Sequence, residues 1–387
     1  MVSPDPTPHL EQFESYEHAC RHFRWVIPKR INIASEICRR HRDAATRIAL
    51  SDVKEGGINT YTFGGLDFLS DKFARALSES GIGQGDSVAV VLPPSAALAI
   101  AHLGALKAGA VVVPLSMVSG VAPIELALAA GGARALVIDE SDWARVEALA
   151  QKLPSLNSYF VVSDLRPGAR SPEVKNFWVE IDRASSEFDA VETDASSAAF
   201  IFYVDLQGEI TGVVHSHRSA IAQLAAFELV TDVGSGSARG TSGDWSSPDV
   251  VMGLLYPLWW YGRSVVVGAS AEDGVVQSAR LNDFYGKPET GWILGRCERW
   301  FTTPSGAAGQ AVPGRIIAIV DDGGNVLRPN EKGNIAVNRA DLGLFIGYRN
   351  DPVRTKAAFI ADWYLVGDSG YKDEDGSYFL SPGGGKP

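Results

Sequence analysis

Between Ser87 and Val162, short and almost wholly apolar segments alternate with longer helix-patterned ones, and that alternation restricts the chain to one kind of architecture. Ser87 to Leu92 is an apolar run stopped by Pro93 and Pro94. Ser95 to Gly109 is rich in Ala and Leu, and Ala110 to Leu115 is apolar again. A helical stretch through Glu125 to Ala130, a strand at Ala135 to Ile138, a helix from Asp142 to Lys152 and a strand at Ser158 to Val162 follow. Strands that are apolar on both faces must be covered on both faces. The pattern therefore predicts βαβ units and an open α/β sheet flanked by helices.

The flanking segments are different in kind. Upstream, Phe13 to Trp25 and Asn32 to His41 read as helices, and Thr60 to Phe63 as a short strand. Gly64 to Ser80 reads as an amphipathic helix with Leu66, Leu69, Phe73 and Leu77 on one face. Downstream, residues 164–195 are polar and read as a surface connection. Ala198 to Val204 reads as a buried strand, followed by a glycine-containing loop and a helix from Ser216 to Val230. Gly234 to Gly243 is Gly/Ser-rich. From Arg315 onward come short strands (Ile316 to Val320, Asn334 to Val337) with turns at Asp322-Gly323-Gly324 and Asp375-Gly376. The expected organisation is an α/β domain over 1–314, a small β-rich subdomain over 315–380 and a disordered tail over 381–387.

Composition excludes several functions. Asp and Glu number 46 against 35 Lys and Arg, a net charge of -11, which argues against nucleic acid or an anionic membrane surface as the main partner. The one basic cluster (Lys29, Arg30, Arg39, Arg40, Arg42) reads as a solvated helix face. Three cysteines, far apart, are too few for a disulfide framework or metal site and read as reduced thiols of a cytoplasmic protein. The polar N-terminus has no apolar signal region, and Val250 to Gly268, interrupted by Pro257 and Arg263, reads as core rather than a membrane span. Trp259, Trp260 and Tyr261 read as part of that core. His215 and His217, two apart, would not share a helical face, so a metal site there is not favoured.

The segment most suggestive of chemistry is FIFYVDLQGEITGVVHSHRS, Phe200 to Ser219. A strand leading into a glycine-containing loop and then a helix can present backbone N–H groups to a phosphate, although the same pattern also serves as a plain turn. This segment resembles the phosphate-binding segment of the adenylate-forming (AMP-binding) acyl-CoA synthetases, whose pattern runs YTSGTTGxPKGVVHxH. Gly208 and Gly212 are retained, His215 stands at a position near the acyl site, and Thr211 stands where the family has Lys. Further segments in the same order resemble the family and its medium-chain branch: Phe23 to Ala34, Gly85-Asp86-Ser87-Val88-Ala89-Val90, Lys107 to Pro114, Asn282 to Thr290 against NEFYGQTE, and Trp363 to Asp368 against WxxTGD.

The resemblance implies an acyl-CoA synthetase/luciferase-type α/β fold. It implies ATP-dependent activation of a carboxylic (fatty) acid to an acyl-adenylate, with Mg²⁺, and then transfer to coenzyme A. Tyr285 would stack near the adenine, Gly286, Gly208 and Gly212 would be further nucleotide-binding positions, Glu289 would hold Mg²⁺ against the phosphates, and Asp368 would accept the ribose hydroxyls. Departures from the pattern bear on that chemistry. Val204-Asp205-Leu206-Gln207 replaces the Ser/Thr/Gly run, putting a carboxylate where phosphates would sit. Lys287 and Pro288 replace Gln and Thr. The chain is short by several dozen residues near 268–281, and it stops at Pro387 where the family continues into a hinge and a lid domain with a catalytic Lys. Two functions remain open from the sequence: a synthetase-like protein with impaired activity, or a non-catalytic pseudoenzyme that binds a partner. A homodimer, or a second chain supplying the lid, is the expected assembly.

Overall fold

The computed structural model describes residues 9–54, 57–150, 152–163, 173–206, 208–231, 239–240, 244–268 and 282–381. The expectations for 234–243, 268–281 and 381–387 fall largely outside these residues.

The apolar runs form the centre of an eight-stranded sheet. Ser87–Val91 is buried along its whole length and lies between Val111–Leu115 and Ala133–Asp139, parallel to both. Ser158–Val162 and Val174–Asn176 extend the sheet on one side. On the other side Ala198–Leu206 joins Val111–Leu115 in parallel, and Glu209–Ser216 and Gly347–Tyr348 complete the sheet in antiparallel fashion. Both faces are covered. Phe63–Glu79 and Ala96–Lys107 pack on one, and Val121–Gly131 and Glu140–Ala150 on the other, through Ile124, Leu128, Trp143 and Val146.

Two of these helices start at side-chain caps, Thr62 accepting from the Gly65 N–H and Ser95 from the Leu98 N–H. All twelve residues of Ala96–Lys107 are buried. Lys107 is wholly buried and is paired with Asp67 at 2.5 Å and Asp71 at 2.7 Å, both from Phe63–Glu79. Gly104 is required between the two helices, because a Cβ there would stand 2.8 Å from the Phe73 ring.

A second sheet is antiparallel throughout. Its strand order is Phe284–Lys287, Gly291–Gly295, Gly309–Ala311, Ser377–Ser381, Trp363–Lys372, Gly333–Asn338, Ile317–Val320, with Phe359–Ile360 beside Trp363–Lys372. Apart from Gly347–Tyr348, the strands after Arg315 thus share a sheet with three that precede it. A third sheet holds Arg239–Gly240, Val265–Val267, Ile48–Lys54 and Gly57–Thr62. The aromatic segment Val250 to Tyr261 is helical, and Trp259 and Trp260 are buried within it. Among the described residues no helix is long and apolar enough to cross a membrane.

Four expectations are corrected. Val204 to Gly212 is not a loop: Ala198–Leu206 and Glu209–Ser216 pair as a hairpin. The segment is β-branched at Val204, Ile210, Thr211, Val213 and Val214, and Gly208 takes φ +88° at the turn, so strand pairing outcompetes an open loop. The expected helix from Ser216 is two short ones, His217–Ile221 and Leu224–Val230. Residues 174–183 are not a bare connection, because Val174–Asn176 adds a strand and Phe177–Arg183 a helix that buries Phe177 and Ile181. The first helix covers only Tyr16–His22, capped by Ser15.

Candidate active site

The hairpin and the second sheet meet at the turn between Phe284–Lys287 and Gly291–Gly295, and five of the eight sequence-derived site residues lie at or against this turn. Tyr285 and Gly286 are on the first of these strands and Glu289 is in the turn itself. Asp368 lies on Trp363–Lys372, and its Oδ2 accepts the Tyr285 hydroxyl at 2.7 Å. Burial and that carboxylate both raise the Tyr285 hydroxyl pKa, so the phenol is a fixed donor at neutral pH. His215, on Glu209–Ser216, reaches the turn from the hairpin side through its Nε2–H, which donates to the Pro288 carbonyl at 2.7 Å. The His215 ring is wholly buried, and desolvation lowers its pKa to about 4, so it is neutral.

Glu289 is nearly buried, and its Oε1 accepts the Tyr348 hydroxyl at 2.8 Å. Tyr348 belongs to the short strand that pairs with Val213 and Val214 of the hairpin. The Arg354 guanidinium lies 5.1 Å from the Tyr348 ring centre. It donates to Thr211 Oγ1 at 2.8 Å and pairs with Glu209 at 3.0 Å. Thr211 is thereby linked to the Glu289 side of the site, while Gly208 stands apart at the hairpin tip. The turn is braced from beneath by Arg315, whose side chain is wholly buried. It is held by Asp341 at 2.9 Å and donates to the carbonyls of Trp292 and Thr290, each at 2.9 Å.

Two of the glycines have close-packing reasons to be glycine. A Cβ on Gly286 would land on the Gly291 carbonyl oxygen, and one on Gly212 would stand 2.9 Å from the Arg349 Cβ. Lys287, Tyr348 and Arg354 were not picked out as site residues from the sequence. A usable signal for two of them was the Gly-Tyr and Asp-Pro pair in Gly347 to Pro352. It places a tight backbone approach and a capped helix start directly before Arg354, and Asp351 is indeed the cap.

Do these residues fit a magnesium nucleotide? At the hairpin they do not. The backbone of 204–206 and 209–211 is spent on pairing, with Val204 opposite Thr211, Asp205 opposite Ile210 and Leu206 opposite Glu209. The Gly208 N–H donates to Asp205 Oδ1 at 2.6 Å. An amide that could face a phosphate is taken by the chain's own carboxylate, and the charge at the turn has the wrong sign for a triphosphate. On the adenosine side the groups are right in kind, a tyrosine and a carboxylate acceptor. There, however, Lys287 Nζ is 2.9 Å from Asp368 Oδ2. Among the described residues no group of three or more His, Cys, Asp and Glu comes together that could hold a metal ion.

Comparison with known proteins shows the family and the fold. Residues 37–271 match the model of the AMP-binding enzyme family. The chain is 24% identical to the acetyl-coenzyme A synthetase of Bacillus subtilis, with 95% of this chain and 76% of that one covered. It is 24% identical to the human mitochondrial acyl-coenzyme A synthetase ACSM2B, covering 91% and 72%. Among solved structures, it superposes on an acyl-CoA synthetase of Brucella canis with a TM-score of 0.83 at 21% identity, over 95% of this chain and 79% of that one. It superposes on the anthranilate CoA ligase AuaEII, solved with anthranoyl-AMP, with a TM-score of 0.78 at 17% identity, over 92% and 78%.

Proposed function

Because this chain belongs to the AMP-binding enzyme family, among the adenylate-forming acyl-CoA synthetases, we propose that it keeps the family frame while ATP-dependent activation of a carboxylic acid is impaired. The observation that carries this reading is the closed hairpin at the phosphate-binding segment, with the Gly208 N–H bound to Asp205. Stabilising the charge on the phosphates as an adenylyl group is transferred and pyrophosphate leaves depends on donors and cations aimed at it. Here the corresponding position is Thr211, whose hydroxyl is occupied by Arg354. Carboxylate, ATP and CoA remain the ligand classes to test, and the names of the relatives support them. The three free cysteines are in keeping with a reducing compartment.

The test is carboxylate-dependent exchange of labelled pyrophosphate into ATP, run with short-, medium-chain and aromatic acids and Mg²⁺. We expect no exchange above the enzyme-free background. Exchange that depends on one of these acids and is abolished by Asp368→Ala would overturn the reading and restore a working synthetase. A second reading, a partner-binding relative without catalysis, is favoured by the ion pair at Asp368, which satisfies the acceptor internally. Absence of exchange in the natural protein, together with a lower urea midpoint for Asp368→Ala as the Tyr285 hydroxyl and the Lys287 ammonium lose their acceptor, is the outcome that reading expects.

A further inference from the structure

The ammonium of Lys287 is paired with the carboxylate that the adenosine side of the site would offer. Its Nζ is 2.9 Å from Asp368 Oδ2, the same oxygen that accepts the Tyr285 hydroxyl at 2.7 Å. The ammonium also stands 5.9 Å from the centre of the Tyr285 ring, so one side chain is set against both the carboxylate and the aromatic face. Asp368 is 17% exposed and Lys287 37%, which keeps the pair at the mouth of the site rather than in the core. Nothing in the packing forces a lysine here. The backbone of residue 287 is fixed by the strand pairing with Gly291 and by the hydrogen bond from its N–H to Thr290 Oγ1 at 3.0 Å, and neither involves the side chain.

We propose that Lys287 is the specificity-determining residue of this site, an internal counter-ion that excludes ribonucleosides by holding the carboxylate their vicinal hydroxyls would need. A neutral diol donates two hydrogen bonds to a carboxylate in exchange for water. To do so here it must first displace a charge-assisted bond, which is roughly twice as strong as a neutral one. The same ammonium is within cation–π reach of the tyrosine ring, so moving it off the carboxylate gives up that contact too. This inference rests on the proposed function in taking the Tyr285–Asp368 pair as the nucleoside end of the site. It is independent of the hairpin, which concerns the phosphates alone.

The experiment is calorimetric titration of the full chain and of Lys287→Gln with adenosine and with AMP. Gln keeps the length and polarity of the side chain and removes its charge. We expect no heat from the natural protein at millimolar adenosine, and at least a tenfold gain in affinity for Lys287→Gln. The gain should vanish in the double variant Lys287→Gln/Asp368→Ala. Lys287→Arg, which restores the cation, should exclude adenosine as the natural protein does. Lys287→Met serves in place of Gln should the latter melt differently from the natural chain. Natural protein that binds adenosine within twofold of Lys287→Gln overturns the proposal, as does a folded Lys287→Gln or Lys287→Met that gains nothing. Pyrophosphate exchange separates the two ideas. Lys287→Gln should still show none, because its hairpin is unchanged, whereas exchange by the natural protein would overturn the proposed function and leave the adenosine result to be judged separately.

Discussion

Neither ring nitrogen of His102 has a hydrogen-bond partner among the described residues, although the residue is wholly buried in the helix Ala96–Lys107. A buried donor and acceptor without partners pay their full desolvation cost. Desolvation also lowers the His102 pKa to about 3, so the ring is neutral. His102→Leu, close in size and without polar atoms, should therefore raise stability by about 1–2 kcal/mol, read as a higher urea midpoint at unchanged slope. A lower midpoint would mean that the imidazole has a partner. The contrast with Arg315 is instructive. That guanidinium is equally buried, but Asp341 and two backbone carbonyls satisfy it, and in holding Trp292 and Thr290 it fixes the turn that carries Glu289. A polar side chain in this core is thus of two kinds, one that positions the site and one that the site does not use.

The hairpin Ala198–Leu206 and Glu209–Ser216 is the element on which the functional reading turns, and its geometry can be tested at Gly208. With φ at +88°, any L-residue there is strained, and Asn tolerates the region better than a β-branched side chain. Gly208→Val should cost about 1 kcal/mol or more and Gly208→Asn clearly less, measured by urea unfolding. Equal, negligible effects would indicate an open loop instead of a closed turn. The parallel strands around Ser87–Val91 were legible in the sequence because burial on both faces leaves an unbroken apolar signature. Tyr285, Glu289 and Asp368 are candidate site residues only through resemblance to the family motifs, and the structure brings Tyr285 and Asp368 together. The hairpin was not legible. Read against a family pattern its glycines suggested a loop, whereas the β-branched residues on both sides of Gln207-Gly208 carried the stronger, local signal. Lys287 was visible only as a departure, because which carboxylate a lysine meets depends on strands 81 residues apart, and no local pattern reports that.

At the scale of the whole molecule, the buried histidines make stability depend on pH in a defined window. His102, His215 and His217 are all buried, with pKa values lowered by desolvation to about 3, about 4 and about 4 from an ordinary 6.5. Half-buried His41 is lowered as well. The unfolded chain binds protons on these rings below pH 6.5 while the folded chain does not, so keeping them neutral adds no protonation cost above pH 6.5, and stability falls as the pH drops towards 4. Each fully buried ring contributes a slope of up to about 1.4 kcal/mol per pH unit in that window. The acidic groups act elsewhere. Asp43, Asp194 and Asp321 are lowered by their hydrogen bonds, so their contributions are lost only below their ordinary value of 3.8. Asp71 and Asp249, raised by burial, oppose the trend, since the folded chain takes up their protons first and gains stability as the pH falls through their raised values. A loss between pH 6.5 and 5 therefore belongs to the histidines. Urea midpoints taken at pH 7.5, 6.0 and 5.0 should be highest at 7.5 and fall steeply thereafter, and His102→Leu should flatten the fall by about a third. A midpoint that stays level from 7.5 to 5.0 would mean that these rings are hydrated or protonated in the folded chain, and it would remove the basis for treating His215 as a neutral donor to the turn that carries Glu289.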